Sequence, residues 1–202
     1  MSLNEKDNIR YLGITLDKNL NWKKHIQSIS KKIKRSIGIL SKTRYYVNFE
    51  ILISLYYSIV YPLLTYGLLT HGLVTWGNSY PTNMKHLFAL PKRALSIITF
   101  LPLDKDSSLL LKLTKILKFF DLIKFQTSIF MYKFHNNQLP TVFANYFYKT
   151  AMKHSYETRL STKKAYAIPE ARTNYGILNI KFSGAKLWNS LDIEIYTSFK
   201  II

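Results

Sequence analysis

The chain has no cysteine among its 202 residues. That removes disulfide frameworks, zinc fingers with thiolate ligands and thiol catalysis together. Acids are scarce too: 11 Asp and Glu stand against 29 Lys and Arg, a net charge of +18. Two-metal phosphoryl or nucleotidyl transfer needs several converging carboxylates, and these few, mostly isolated acids offer no such cluster. The 7 glycines form neither GxGxxG nor GxxxxGK followed by Ser or Thr, so no phosphate loop is written in the sequence. The 5 histidines (His25, His71, His86, His135, His154) never fall at i and i+4 of one another. Asp104 and Asp106 make a D-x-D, yet between Pro102 and Ser107-Ser108 they read as turn and helix-cap residues. No active site is legible.

What is present is a folded basic protein. Hydrophobic residues make up 48% and aromatics 15%, including 15 Tyr and 12 Phe, whereas solvating basic tails are aromatic-poor. A field of this sign favours polyanions, nucleic acid first and an anionic membrane surface second. The first ten residues are polar, so no secretory signal is expected. Ile51 to Met84 contains no Asp, Glu, Lys or Arg, and its first part, ILISLYYSIVYPLLTYGLL, is about 19 residues long, enough to cross a bilayer. Ser54, Ser58, Pro62, Thr65, Gly67 and tyrosines at 56, 57, 61 and 66 interrupt it, and both flanks are basic. A buried core helix is therefore expected in place of a membrane span, and the nucleus or cytoplasm in place of secretion.

The periodicity predicts a mainly helical chain. Residues 9–16, IRYLGITL, read as a strand broken by a bend. Asp17 to Asn21 supply turn and cap residues, with Asn19 or Asn21 as N-cap, and the clearest helix runs from Trp22 to Tyr45. Its apolar stripe is Trp22, Ile26, Ile29, Ile33, Ile37 and Leu40. Asn48 is expected to cap a second helix that Pro62 kinks or ends near Tyr61. Leu52, Leu55, Ile59 and Leu63 form its expected dry face. Further helices are expected around Met84–Phe100 and, as one long or two short pieces, over Ser107–Phe134. Beyond Pro140 the periodicity fades into a small unit or loose tail, with a strand expected near Tyr175–Phe182. Gly67-Leu68-Leu69-Thr70 is nearly repeated as Gly72-Leu73-Val74-Thr75, which reads as a five-residue duplication.

From Lys18 to Phe49 there are nine basic residues and no acid. On a helix at ~100° per residue, Lys24, Lys31, Arg35 and Lys42 fall within about 40° of one another, opposite the apolar stripe. They span ~27 Å at ~1.5 Å per residue. Lys31 and Arg35 repel at i,i+4, a cost of roughly 0.2–0.5 kcal/mol that a stripe built for stability would avoid by interleaving Glu. These four residues are the candidate nucleic-acid-binding face; the plain alternative is a solvated helix surface.

The string Tyr11-Leu12-Gly13-Ile14-x-Leu16-Asp17-x-x-Leu20-x-Trp22-x-x-His25-Ile26 resembles the segment that follows the catalytic palm in non-LTR retrotransposon reverse transcriptases of the jockey-like LINE type. Later matches keep the family's order: Leu55-Tyr56, Tyr61-Pro62, Tyr66-Gly67, Trp76-Gly77, then Lys92-Arg93-Ala94-Leu95 with Ile97-Ile98. His154-Ser155-Tyr156-x-Thr158-Arg159, Arg172-Thr173-Asn174-Tyr175-Gly176 and Gly184-Ala185-Lys186-Leu187-Trp188-Asn189-Ser190-Leu191 resemble the C-terminal end of the same polyproteins. The resemblance covers almost the whole chain. It implies the end of the palm (1–20), a helical thumb-like domain (21–140) and a basic, aromatic C-terminal unit (141–202). It also implies RNA or DNA template–primer as partner, together with the palm of a full-length polymerase. The family's palm aspartates lie in an F/Y-A-D-D motif upstream of the YLG segment, and nothing here matches them. So no cofactor is expected in this chain, although the full-length enzyme would use Mg2+. Pro91 where Gln is usual, Ser96 where Arg is common, and the duplication depart from the family and look like drift in a decaying copy. The leading reading is a nucleic-acid-binding, catalytically incomplete fragment of an RNA-directed DNA polymerase. The alternatives are a membrane-associated helical protein anchored by 51–76 and a non-catalytic interaction protein on the same scaffold.

Overall fold

Gly13 reverses the chain at its first turn, where φ of 79° suits a residue without Cβ. The computed structural model describes residues 7–11, 13–65, 79–102, 114–150 and 165–191. On either side of that turn lie β1 (Asn8–Tyr11) and β2 (Ile14–Asp17), antiparallel, with Asn8 opposite Asp17 and Tyr11 opposite Ile14. The expected bent strand is thus a tight hairpin. The remaining regular elements are helical, as the sequence predicts. They fall into two compact units, residues 1–122 and 123–202.

In the first unit α1 (Lys23–Thr43) is the spine. Its start follows expectation only in part. Trp22, in a left-handed conformation, occupies the cap position without a side-chain bond. Asp17 organises the turn ahead of it: its carboxylate accepts from the backbone N–H of Asn19 (3.1 Å), Asn21 (3.0 Å) and Trp22 (2.9 Å). Asn21 accepts from Lys23 N–H at 3.0 Å. The Asp17 carboxylate thus ties down three N–H groups of the turn leading into α1, while the helix's own first N–H is met by Asn21, one of the two expected cap residues. The stripe Ile26, Ile29, Ile33, Ile37 and Leu40 is buried as the period requires, but Trp22, expected at its head, lies before the helix and is only half-buried.

Asn48 caps α2 (Phe49–Leu55) by accepting from Ile51 N–H at 3.0 Å. Pro62 does not stop the chain. A π-helical turn (Tyr56–Val60) intervenes, and α3 (Tyr61–Thr65) continues through the proline. Pro62 has no N–H for the Ser58 carbonyl and its ring would strike that oxygen; widening the preceding turn removes both conflicts. The inserted turn also moves the buried face by one residue. Leu52, Tyr56, Val60 and Leu64 are the buried positions, while Leu55, Ile59 and Leu63 are only half-buried. Ser36 of α1 donates to the Ile59 carbonyl inside that turn at 3.1 Å.

The helix α4 (Pro81–Thr99) starts with proline at its first position and packs along α1. It runs through Pro91 and buries Met84, Leu87, Leu90, Ala94, Leu95 and Ile98. Ser96, the departure from Arg, is buried and donates to the Leu101 carbonyl, so the position closes the end of α4.

Between residues 114 and 119 the chain is not helical throughout. Lys115 has φ of 54°, and α5 begins only at Phe119, ending at His135. The division between the two units falls inside α5, after Leu122.

In the second unit the side chains that meet are aromatic: Phe130 on Phe143, Phe134 on Phe147, and His135 on Trp188. The strand expected near Tyr175–Phe182 is absent. That segment forms α6 (Asn174–Leu178) and α7 (Ile180–Ser190), because Thr173 and Asn179 both cap helices, accepting from Gly176 N–H at 3.2 Å and Lys181 N–H at 2.9 Å. The near-repeat at 67–77, Asp104, Asp106, His71 and His154 lie outside the described residues.

Candidate nucleic-acid interface

Because α1 buries its isoleucine stripe, its opposite side is left to water. Lys24, Lys31, Arg35 and Lys42 are all exposed on that side, as the projection requires. Lys23, Lys32 and Lys34 are exposed as well, so cations cover more of the helix than the four-residue stripe. The first turn contains no acid and carries Lys23 and Lys24, at the end where the helix dipole is itself positive. Placing cations there costs typically 0.3–1 kcal/mol each at low salt. Only Lys42, in the last turn, is placed to the dipole's advantage. A helix selected for its own stability would carry the opposite arrangement.

One flank of the stripe is a groove of about 640 Å³. Its α1 side holds Lys23, Lys31 and Lys34, and its α4 side holds Thr82, Asn83 and His86. The groove is held open from below by the start of α1. Asn83 donates to the Asn21 carbonyl at 3.1 Å, and the Ser79 hydroxyl donates to the same oxygen at 3.3 Å. Three ammonium groups with hydroxyl, amide and imidazole donors opposite them suit an anion such as phosphate. The α4 residues of this groove are not readable from sequence, since nothing in their spacing says which helix they will face.

The hairpin is fixed to α1 by His25. Its Nδ1 accepts from Thr15 N–H at 3.2 Å, so that nitrogen carries no proton. Burial holds the His25 pKa down at about 4, and the Lys32 charge adds to the effect. This histidine is a structural acceptor. Among the described residues no three of His, Asp and Glu gather into a potential metal site.

Residues that carry the family resemblance serve identifiable local needs. Gly13 makes the hairpin turn, Asp17 fixes the turn that leads into α1, Thr173 caps α6, and Asn189 clasps the backbone of Tyr166 through two bonds of 2.9 and 2.8 Å. Among the described residues no helix is long and apolar enough to cross a membrane; residues 66–76 of the proposed anchor lie outside them. Comparison of the chain with protein-family models, curated proteins and solved structures returned no match.

Proposed function

We propose that the chain is the template–primer-gripping, thumb-like part of a non-LTR retrotransposon reverse transcriptase, acting without catalytic carboxylates of its own. The observation that carries this reading is the exposed cationic side of α1, assembled against the helix dipole and against its own i,i+4 repulsion. The ordered motifs from Tyr11 to Leu191 supply the family. RNA or DNA template–primer is the partner, the palm of a full-length polymerase is the second, and the nucleus or cytoplasm is the compartment in which such a chain meets both. Mg2+ would belong to the palm and not to this chain.

The test is a salt series. Removing one phosphate-binding cation should lower the log–log salt slope of binding by ~0.7 on single strands and ~0.9 on duplex. Replacing Lys24, Lys31, Arg35 and Lys42 together by Ala should flatten it by up to about 3 and weaken all sequences alike. Fluorescence anisotropy with a primer–template duplex measures this, with Lys163→Ala/Lys164→Ala as a control for general charge. An unchanged slope in a quadruple variant with normal circular dichroism would reduce the stripe to a solvated surface.

A further inference from the structure

At the C-terminal end of α1 the cationic side meets a group of exposed rings. Two residues past Lys42 the chain leaves the helix, and the Arg44 guanidinium lies 3.8 Å from the centre of the Phe100 ring and 5.2 Å from that of Tyr45. Tyr45 and Phe100 meet edge to face at 6.2 Å. Despite this packing the rings are open to solvent: Tyr45 is 75% exposed, Tyr46 87% and Phe100 54%.

Two details show that this cluster is not made for stability. Phe100 caps α4 in the left-handed conformation, with φ of 57°, a place that Gly or Asn ordinarily takes because a bulky side chain strains it. A large apolar residue is thus held in an unfavourable backbone state and then left half in water. In addition, the Arg44 Nε is buried and has no hydrogen-bond partner among the described residues, an unusual state for a guanidinium donor.

We propose that Tyr45, Arg44 and Phe100 form a stacking platform for an unpaired nucleobase at the end of the α1 phosphate track, so that the chain prefers nucleic acid with single-stranded nucleotides. This rests on the proposed function above and adds the class of nucleic acid. Arg44 fixes the Phe100 and Tyr45 rings from one side, leaving Tyr45 with an open face. A base has a π-face whatever its identity, so such a platform is tolerant of sequence. A protein docking on the same rings would not need the basic approach that leads into them; a single strand needs both, phosphates along Lys31, Arg35 and Lys42 and a base beyond.

The test separates base from phosphate. The full chain is titrated by fluorescence anisotropy with a short oligothymidylate and with the same backbone carrying abasic sites, which keeps the charge and removes the π-faces. Stacking on one platform should make thymidylate bind about 5- to 150-fold more tightly than the abasic strand. Tyr45→Ala and, separately, Phe100→Gly should shrink that ratio toward one while leaving abasic and duplex binding unchanged. Phe100→Gly also relieves the left-handed strain, so it is expected to fold as well as the parent. Equal affinity for the two strands in the parent chain, or a ratio that survives both substitutions, would overturn the platform alone. Failure of the parent to bind oligothymidylate, the abasic strand or a primer–template duplex would overturn the proposed function with it.

Discussion

The two units of this chain solve burial in different ways. The first packs aliphatic side chains on a helical period: Ile26, Ile33, Ile37 and Leu40 against Leu52, Val60, Leu64 and the Leu and Met residues of α4. The second gathers rings and ties them with polar bonds. Tyr166 is its hub, touching Phe134, Phe147 and Trp188, hydrogen-bonded to His135 Nδ1 at 3.0 Å, and clasped through its backbone by Asn189. At Gly184 α7 comes close to α5: a Cβ there would stand 3.0 Å from Met131 Sδ, so the Met131 side chain would have to shift by a few tenths of an ångström. Aliphatic stripes tolerate volume-conserving exchange, whereas a ring cluster with satisfied polar edges depends on each member's shape and donors. The lesson is that a core can be regular in space without being periodic in sequence.

The largest expected effect tests whether Trp188 is as central to the second unit as Ile33 is to the first. Trp188→Ala should cost about 3–5 kcal/mol and Ile33→Ala about 2–5 kcal/mol, the range for truncation in tight cores. Hydrogen exchange read by element distinguishes them. Trp188→Ala should speed exchange in α7 and in the Tyr148–Ala167 pairing, where Ala167 N–H donates to the Tyr148 carbonyl at 2.8 Å. Ile33→Ala should speed it in α1 and α4. Identical exchange patterns for the two variants would erase the distinction between the cores.

That difference also explains how much is legible in the sequence. The mainly helical fold, the α1 stripe, the Asn48 cap and the exposed positions of Lys24, Lys31, Arg35 and Lys42 follow from a period of ~3.6, which the sequence displays directly. The buried face after Leu52 is displaced from its expected positions because a π turn is not visible in spacing alone; only Pro62 hints at it. Tyr175–Phe182 reads as a strand because its aromatic and β-branched residues outweigh a short helical period, while the deciding caps, Thr173 and Asn179, are single polar atoms. The Arg44–Phe100 cluster and the two sides of the groove bring together residues about 48 or more positions apart, which no local pattern encodes.

A smaller effect concerns the polar seam of the first unit. His25 accepts from Thr15 while held neutral, with a pKa of about 4 against an ordinary 6.5. The sign follows from proton uptake: below pH 6.5 the unfolded chain gains a proton that the folded chain refuses. Stability is therefore full well above pH 6.5 and is lost as pH falls from there to about 4, by up to about 3 kcal/mol. His25→Gln, which keeps an acceptor, should flatten this dependence in urea titrations monitored by circular dichroism. Equal slopes for parent and variant between pH 4 and 6.5 would remove His25 as the latch of the hairpin.

The smallest effect in energy bears most directly on why α1 is built as it is. Lys31 stands four residues before Arg35, and both are exposed to solvent. Lys31→Glu converts a repulsive i,i+4 pair into an attractive one in the favoured order, acid first. The gain should be about 0.2–0.5 kcal/mol from the new pair plus a similar amount from the repulsion removed. The same change places a carboxylate in the lysine-lined groove and in the middle of the proposed phosphate track, where on that reading it should weaken nucleic-acid binding and lower the salt slope by ~0.7–0.9 or more. Opposite movements of melting temperature and affinity in one variant would mean that the stripe sacrifices stability for its grip on phosphate. A variant that is more stable and binds as tightly as its parent would mean that Lys31 contributes to neither, and the track would then have to run along the remaining cations of α1.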